Sequence, residues 1–307
     1  MRLEPTSASG DRLIREVVID GDEFDLLPIT WLSERDGEIA VAQEQDSRVL
    51  FFDPTGMLIG SAGHRGSGPG EFRSLSEGGW LGDSLWIYDA HLGRVTLLAL
   101  GASGARRPSR TVWSLAQFKP TDPSTLRFNE VVPRGLDRDH SVLATGYGSS
   151  ENDLRGQYLV SVGPDGRFHG IIAQLPPNTS EIRTRTAGAF FLTKLRFGAA
   201  PLVDVSPDGG VIAVAHVGSE EGVPSFSVTL ISADGDTIYH HEHQYTPAAI
   251  QESVRRTEEA RIAKRKSQVP GFPDVTVPRF YPPLRSLIAG RDSCVWIELD
   301  GASGQRS

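Results

Sequence analysis

An internal repeat constrains the fold of this chain more than any other feature. The segments that begin at Ile39 and Leu85 each contain an apolar strand, a short polar turn, an Arg-Val pair and a second alternating strand. The two copies lie 46 residues apart, and β-propeller blades commonly repeat every ~40 to 50 residues. Because a polar turn between two alternating runs is typical of a β-hairpin, each copy is interpreted as part of one antiparallel blade.

Later segments repeat this pattern more loosely. Strand-like runs and glycine-containing turns recur at 141–172 and 211–240, and a last unit covers 284–298. We therefore predict an all-β chain, a propeller with about four to five blades present, in a single domain over residues 1–307. The last blade is expected to be incomplete at the C-terminus, and its unpaired strand edges are expected to favour association with another chain.

One segment departs from the β pattern. Strong helix formers run from Thr246 to Lys266, and Pro247 follows Thr246 in the order that favours a helix N-terminus. This predicts a surface helix over about 247–266, inserted between blades. Its basic C-terminal end could hold an anion, although cations at that end are also what the helix dipole favours.

Composition restricts the class of protein. The 33 Gly and 20 Pro residues, with 38% hydrophobic and 23% charged residues, are typical of a turn-rich globular protein. A formal net charge of −8 disfavours a nucleic-acid partner, because it repels phosphate at long range. We expect no transmembrane segment and no signal peptide, and on the residues alone a cytoplasmic location. Cys294, the single cysteine, is expected to be buried.

The segment 48–72 carries the densest pattern in the chain. A hairpin with the turn Asp53-Pro-Thr-Gly56 comes first, and a glycine-rich stretch follows it. His64 and Arg65 lie among these glycines, where free backbone N–H groups and a cation could hold a carboxylate or a phosphate. The alternative is that the glycines allow a tight crossing between blades and that Arg65 pairs with a neighbouring acid.

Other positions are weaker candidates for ligand binding. Asp89 and His91 fall in the turn of the second repeat, where Asp is also common because it accepts backbone hydrogen bonds. Arg196 belongs to a stretch of interleaved cations and aromatic residues, a pattern that can bind single strands but that strand alternation explains equally. His241 and His243 share one strand face and would need a third ligand to hold a metal.

Segments 48–56 and 65–72 together resemble bacterial six-bladed β-propellers related to the NHL-repeat proteins. The first segment is similar to the family's strand and D-x-x-G turn, and the second to its G-x-G-P-G-E-F loop. Weaker similarity is found at 204–209 and 281–296. The resemblance implies six blades, of which this chain would hold only a part. It also implies a periplasmic or exported location, because such proteins commonly begin with an export signal.

The functional prediction follows from the fold and from the lack of a recognisable catalytic motif. We predict a non-catalytic binding or interaction module whose partner is a protein or a small molecule, with inner-strand residues as the place to look for a ligand. The alternative, by analogy with related propellers, is a metal-dependent lyase or lactonase that uses channel-end carboxylates and His, with Ca or Zn. No cofactor is otherwise expected, and the candidate ligand-binding residues are His64, Arg65, Asp89, His91 and Arg196.

Overall fold

The fold is an all-β propeller arrangement of four blades with one helix. The computed structural model describes residues 17–26, 28–100, 106–114, 127–149, 156–186, 189–218, 223–269, 271–290 and 294–299. Within these residues, four antiparallel sheets have four strands each, and two further sheets have two strands each. The strands of each larger sheet are consecutive in the chain, so every such sheet is a meander that forms one blade.

The repeat seen in the sequence corresponds to the first two blades. Blade 1 comprises β1 (Ile29–Arg35), β2 (Glu38–Gln43), β3 (Arg48–Phe52) and β4 (Leu58–Ala62). Blade 2 comprises β5 (Glu77–Leu81), β6 (Ser84–Asp89), β7 (Arg94–Leu100) and β8 (Arg106–Ser114). The two copies of the repeat are therefore the second and third strands of these blades.

The looser repeats form two more blades. Blade 3 comprises β9 (Arg127–Leu136), β10 (Val142–Ser149), β11 (Gln157–Val162) and β12 (Phe168–Gln174). After the hairpin β13 (Glu181–Thr186) and β14 (Ala189–Lys194), blade 4 comprises β15 (Leu202–Val205), β16 (Val211–Val217), β17 (Ser225–Ser232) and β18 (Thr237–Gln244). Helix α1 (Glu252–Gln268) and the hairpin β19 (Leu284–Ala289) and β20 (Val295–Leu299) complete the described elements.

The first strands of successive sheets lie side by side. Strand β1 contacts β5, β5 contacts β9, β9 contacts β15, and β15 contacts β19. Glycine permits two of these approaches: a Cβ at Gly78 would lie 2.3 Å from Cζ2 of Trp31, and one at Gly135 would lie 2.5 Å from Cβ of Val205. These inner strands bring residues from different blades into one neighbourhood, which is where an axial site would be built.

The hydrophobic core lies between neighbouring blades. Phe51, Trp80 and Leu98 pack between blades 1 and 2, together with Phe72, which is fully buried. Phe72, at the end of the glycine-rich stretch, thus anchors that stretch in the core. Similar apolar layers separate blade 2 from blade 3, blade 3 from blade 4, and blade 4 from the β19–β20 hairpin. Because a middle strand is covered on both faces, β6 is buried from Leu85 to Asp89.

Helix α1 and the β13–β14 hairpin form a unit of their own beside blades 3 and 4. Ile262 of the helix packs with Phe197, Phe272 and Val277 in a separate apolar cluster. Two i,i+4 ion pairs lie on the helix, from Arg256 to Glu252 and from Arg255 to Glu259. The described residues include no helix that is long and apolar enough to cross a membrane.

The predicted start of the helix at residue 247 is wrong. The helix begins at Glu252, and Gln251 is its N-cap residue. The preceding residues are extended instead, because Ile250 N donates to Arg279 O at 2.9 Å and Tyr281 N donates to Ala248 O at 2.9 Å. Pairing with a segment distant in sequence has therefore overridden the local helix signal.

The prediction that Cys294 is buried is also wrong. The thiol-bearing residue is exposed. It lies at the turn end of the β19–β20 hairpin, where its carbonyl accepts a hydrogen bond from Gly290 N at 2.8 Å. Cys294 directly precedes β20 and does not belong to the apolar layer between this hairpin and blade 4.

Candidate functional site

Three charged residues on inner strands form the candidate site. Glu77 begins β5, Arg134 lies on β9 and Asp204 lies on β15, so they come from the first strands of three successive blades. Arg134 Nη1 donates to Glu77 Oε1 at 3.0 Å. Asp204 is close enough for its negative charge to raise the pKa of Glu77. We call Glu77, Arg134 and Asp204 the inner-strand cluster.

A β-bulge places Arg134 in the cluster. In the pairing of β9 with β10, Pro133 is opposite Ala144 and Gly135 is opposite Leu143, so Arg134 is the extra residue between two paired positions. Such bulges redirect a side chain relative to the strand. Arg134 Nε also donates to the hydroxyl of the buried Thr145 at 3.3 Å, which fixes the guanidinium from the β10 side.

Asp204 connects the cluster to the last described hairpin. Its Oδ2 accepts a hydrogen bond from the backbone N–H of Ala289 on β19 at 2.8 Å. The carboxylate therefore supports the contact between β15 and β19 while it lies beside Arg134. A charged residue in the short apolar strand Leu202–Val205 is costly unless it is partnered in this way.

Burial raises the pKa of both carboxyls in the cluster. For Glu77 the largest cause is desolvation, which the positive charge of Arg134 partly offsets and the negative charge of Asp204 reinforces. The pKa of Asp204 is raised by desolvation too, against its backbone hydrogen bonds and Arg134. Two carboxyls with raised pKa values beside one guanidinium can accept, hold or donate protons, and they can hydrogen-bond to a polar ligand.

The cluster is not suited to Ca²⁺ or Zn²⁺. It offers two carboxylates, and one of them is paired with a guanidinium that would repel a metal cation. Over the described ranges there is no group of three His, Cys, Asp or Glu side chains that could hold a metal ion. His241 and His243 do share a face, with ring centroids 4.6 Å apart, and His243 stacks on Phe226.

The glycine-rich crossing that contains His64 and Arg65 has an internal carboxylate. The backbone N–H groups of Ser67 and Gly68 both donate to Glu71 Oε2 at 2.8 Å. His64 Nε2 lies 3.2 Å from Glu71 Oε1, and the two backbone hydrogen bonds hold the pKa of Glu71 below its usual range. The donors proposed for an external anion are therefore already bound to Glu71, and Arg65 is exposed at the surface.

Asp89 and His91 lie beside the same crossing. Asp89 is completely buried and accepts hydrogen bonds from Arg73 N at 2.7 Å, Ser74 Oγ at 2.9 Å and Leu92 N at 3.0 Å. His91 N donates to Ser74 Oγ at 3.2 Å. These contacts fasten the β6–β7 turn to the segment that enters blade 2. A ligand-binding role for Asp89 and His91 stays a prediction.

Arg196 is separated from the other predicted residues. It lines a pocket beside α1, and its guanidinium carbon lies 5.3 Å from the ring centroid of Phe197. The five predicted residues are thus divided between two regions, and none belongs to the inner-strand cluster. The signal that was missed is a charged residue inside an apolar first strand, as in Val131–Leu136 for Arg134 and Leu202–Val205 for Asp204.

Comparison with known proteins gives similarity only at the level of solved structures. No protein-family model matches the chain, and no curated protein matches it. The periplasmic gluconolactonase of Pseudomonas aeruginosa is 13% identical, with a TM-score of 0.31, and the alignment covers 74% of this chain and 76% of that one.

Two further solved structures are similar to the same extent. A member of the DUF4221 family from Bacteroides vulgatus is 10% identical, with a TM-score of 0.34 and coverage of 69% of this chain and 65% of that chain. An oligogalacturonate lyase in complex with manganese is 13% identical, with a TM-score of 0.31 and coverage of 69% and 62%. At these identities and TM-scores, the similarity does not bear on function.

Proposed function

We propose that the protein binds a small polar ligand at the inner-strand cluster, as a binding module built on a single propeller domain of the six-bladed type. The observation that supports the binding role is the convergence of Glu77, Arg134 and Asp204 from three successive inner strands. Core packing does not require charged side chains at these positions. Groups of partly buried charges with shifted pKa values, such as this one, are more frequent at functional sites than elsewhere.

The chemistry of the cluster selects a ligand class. Within the described part of the chain Arg134 donates through Nε and Nη1, which leaves Nη2 to donate to a ligand oxygen. Glu77 and Asp204 can accept hydrogen bonds from hydroxyl groups when ionised, and they can donate when protonated. A small polyhydroxylated carboxylic acid, such as a sugar acid, offers both the anionic oxygen and the hydroxyl groups that these three side chains would bind.

Calorimetric titration of the full chain tests this proposal. D-galacturonate and D-gluconate are the probes, and D-galactose is the neutral comparison. Arg134→Met is expected to weaken sugar-acid binding about tenfold or more, which corresponds to the loss of one charge-assisted hydrogen bond.

Arg138→Met is the matched control, because Arg138 is exposed and pairs with Asp208 outside the cluster. It should leave the affinity within about twofold of the native value, because a twofold change in Kd corresponds to less free energy than one charge-assisted hydrogen bond contributes. Equal affinity in Arg134→Met and the native protein would contradict the proposal. So would the lack of binding of either acid at millimolar concentration.

A second candidate function is acid–base catalysis at the same cluster. The raised pKa of Glu77 and Asp204 favours it, since a carboxyl whose pKa is raised holds its proton to a higher pH and can exchange it with a substrate. A lyase or lactonase is the specific form, and the Ca or Zn of the sequence prediction would have to be held by ligands outside the cluster, which is not suited to either metal. Turnover of sugar lactones and of oligogalacturonides, each with and without added Ca²⁺ or Zn²⁺, tests it. Turnover by the native protein that Asp204→Asn abolishes would establish an enzyme. If the native protein turns over none of these substrates, the binding role is the one that stands.

Location and assembly are proposals that follow from the resemblance to exported propellers. We propose a periplasmic or exported location, which fractionation of the source cells with an antibody against the protein would test. A small-molecule or protein partner is proposed in place of nucleic acid, because of the net charge of −8. Association through unpaired strand edges would be seen as a molar mass above 33.3 kDa in light scattering.

A further inference from the structure

A pocket with mixed polar and apolar walls lies beside helix α1. Its volume is about 310 Å³, within the size range of small-molecule sites. The apolar wall includes Ile182, Leu195 and Ile262, and the segment 273–278 closes one side. We call this space the insertion pocket, because α1 and β13 line it together with the residues that follow β14.

Gln157 is the polar residue that the fold leaves incompletely satisfied in this pocket. It lies at the start of β11, it lines the pocket, and only 4% of its surface is exposed. Its Nε2 donates to the hydroxyl oxygen of Tyr147 at 3.2 Å, but Oε1 has no hydrogen-bond partner among the described residues. A buried carbonyl oxygen without a donor destabilises the folded state, and a ligand that supplies a donor recovers part of that loss.

Two of the carboxylates that line the pocket are paired with cations outside the lining, and the other two charged lining residues, Glu181 and Arg196, are of opposite sign. Glu258 is buried and accepts hydrogen bonds from Arg261, at 2.6 Å and 2.8 Å, and from the backbone N–H of Arg196 at 3.4 Å. Asp274 is paired with Lys266. Since these carboxylates are already paired, neither sign of ligand charge is favoured by them.

From the unpartnered Gln157 oxygen, the apolar wall and the paired charges, we infer that the insertion pocket binds an uncharged amphipathic molecule. Such a ligand has an apolar ring or chain that lies against Ile182, Leu195 and Ile262. It also has an N–H or O–H group that donates to Oε1 of Gln157 after a small rotation of the amide. The site is separate from the inner-strand cluster and does not depend on the function proposed there.

Two probes of nearly the same shape test this inference. Indole has a ring N–H donor, and 1-benzothiophene replaces that group with sulfur. Both are titrated into the full chain and followed by protein NMR, with the affected residues assigned. We expect indole to bind more tightly by about fivefold, with shifts confined to residues that line the pocket, as for one additional neutral hydrogen bond.

Variants at Gln157 and at an exposed glutamine separate the specific interaction from general apolar binding. Gln157→Leu should remove the preference for indole and leave 1-benzothiophene bound. Gln174→Leu, on the neighbouring strand β12 and facing solvent, should keep the preference. Ile262→Trp should block both probes, and its melting curve would show whether the variant is folded.

Three results would overturn the inference. The first is that indole does not bind in the pocket at 5 mM, which is about the dissociation constant expected for a fragment. The second is an unchanged preference for indole in Gln157→Leu. The third is that the NMR shifts are located at the inner-strand cluster instead. Arg134→Met should not affect the binding of indole. A failure of the sugar-acid proposal and a failure of this one are therefore distinguishable.

Discussion

Replacement of Gly78 by alanine tests the contact between the inner strands of blades 1 and 2. A Cβ at this position would lie 2.3 Å from Cζ2 and 2.6 Å from Cε2 of the Trp31 ring. The indole must move, and it packs against the apolar layer between the two blades. Overpacking of this kind costs about 1 to 3 kcal/mol, while the change from Gly to Ala in a strand would by itself gain about 0.5 to 1 kcal/mol.

We therefore expect Gly78→Ala to lower the free energy of unfolding by about 1 to 2 kcal/mol. Urea denaturation followed by circular dichroism measures this loss without relying on tryptophan fluorescence. Gly170→Ala is the matched control, because Gly170 lies in strand β12 with open space where its Cβ would be. It should be neutral or slightly stabilising.

A double-mutant cycle with Trp31→Ala identifies the cause. If the clash with the indole is responsible, Gly78→Ala should cost nothing in the Trp31→Ala background. An equal loss in both backgrounds would show that the backbone at Gly78, and not the packing of β1 on β5, requires glycine. A loss no greater than that of Gly170→Ala would refute the close approach altogether.

Three further predictions concern charged residues. Asp204→Asn retains the acceptor for Ala289 N but removes a carboxyl whose pKa burial raises. Because this pKa is raised in the folded state, the native protein loses stability as pH rises through it. The variant should therefore become more stable relative to the native protein from acidic to neutral pH, as measured by urea midpoints across that range. The opposite trend would show that burial does not raise the pKa of Asp204. Asp89→Ala should lower the free energy of unfolding by about 3 kcal/mol, because one buried and two part-buried donors lose their acceptor, whereas the exposed Asp165→Ala should have almost no effect. Glu71→Ala should free the Ser67 and Gly68 amides, so that sulfate shifts their NMR resonances in the variant only; the same shifts in the native protein would support the anion site predicted at His64 and Arg65.

The sequence predicts the blades well because their signals are local. A strand of alternating or continuous apolar residues, a turn with glycine in the left-handed region and a returning strand are all encoded within some twenty residues. Gly56, with φ of +87°, lies at such a turn, and Gly56 N donates to Asp53 O at 2.9 Å as expected for the predicted turn. The 46-residue repeat then identifies the second and third strands of blades 1 and 2.

The sequence predicts the candidate site less well because the site depends on distant contacts. Glu77 and Arg134 are 57 positions apart, and Asp204 accepts a hydrogen bond from Ala289, which lies 85 positions later. The glycine-rich crossing shows a further limit of the sequence. It contains every element of an anion site, but its own Glu71 occupies the amide donors, and only the folded arrangement reveals this. The start of α1 was misplaced for the same reason, since residues 279–281 pair with the segment before it.

A crystal structure of the protein with a bound sugar acid is the most direct test of the central claim. We predict that the carboxylate of the ligand lies within about 3 Å of the Arg134 guanidinium, with its hydroxyl groups near Glu77 or Asp204. Density for the ligand in the insertion pocket or at the glycine-rich crossing, with the inner-strand cluster free of ligand, would contradict it.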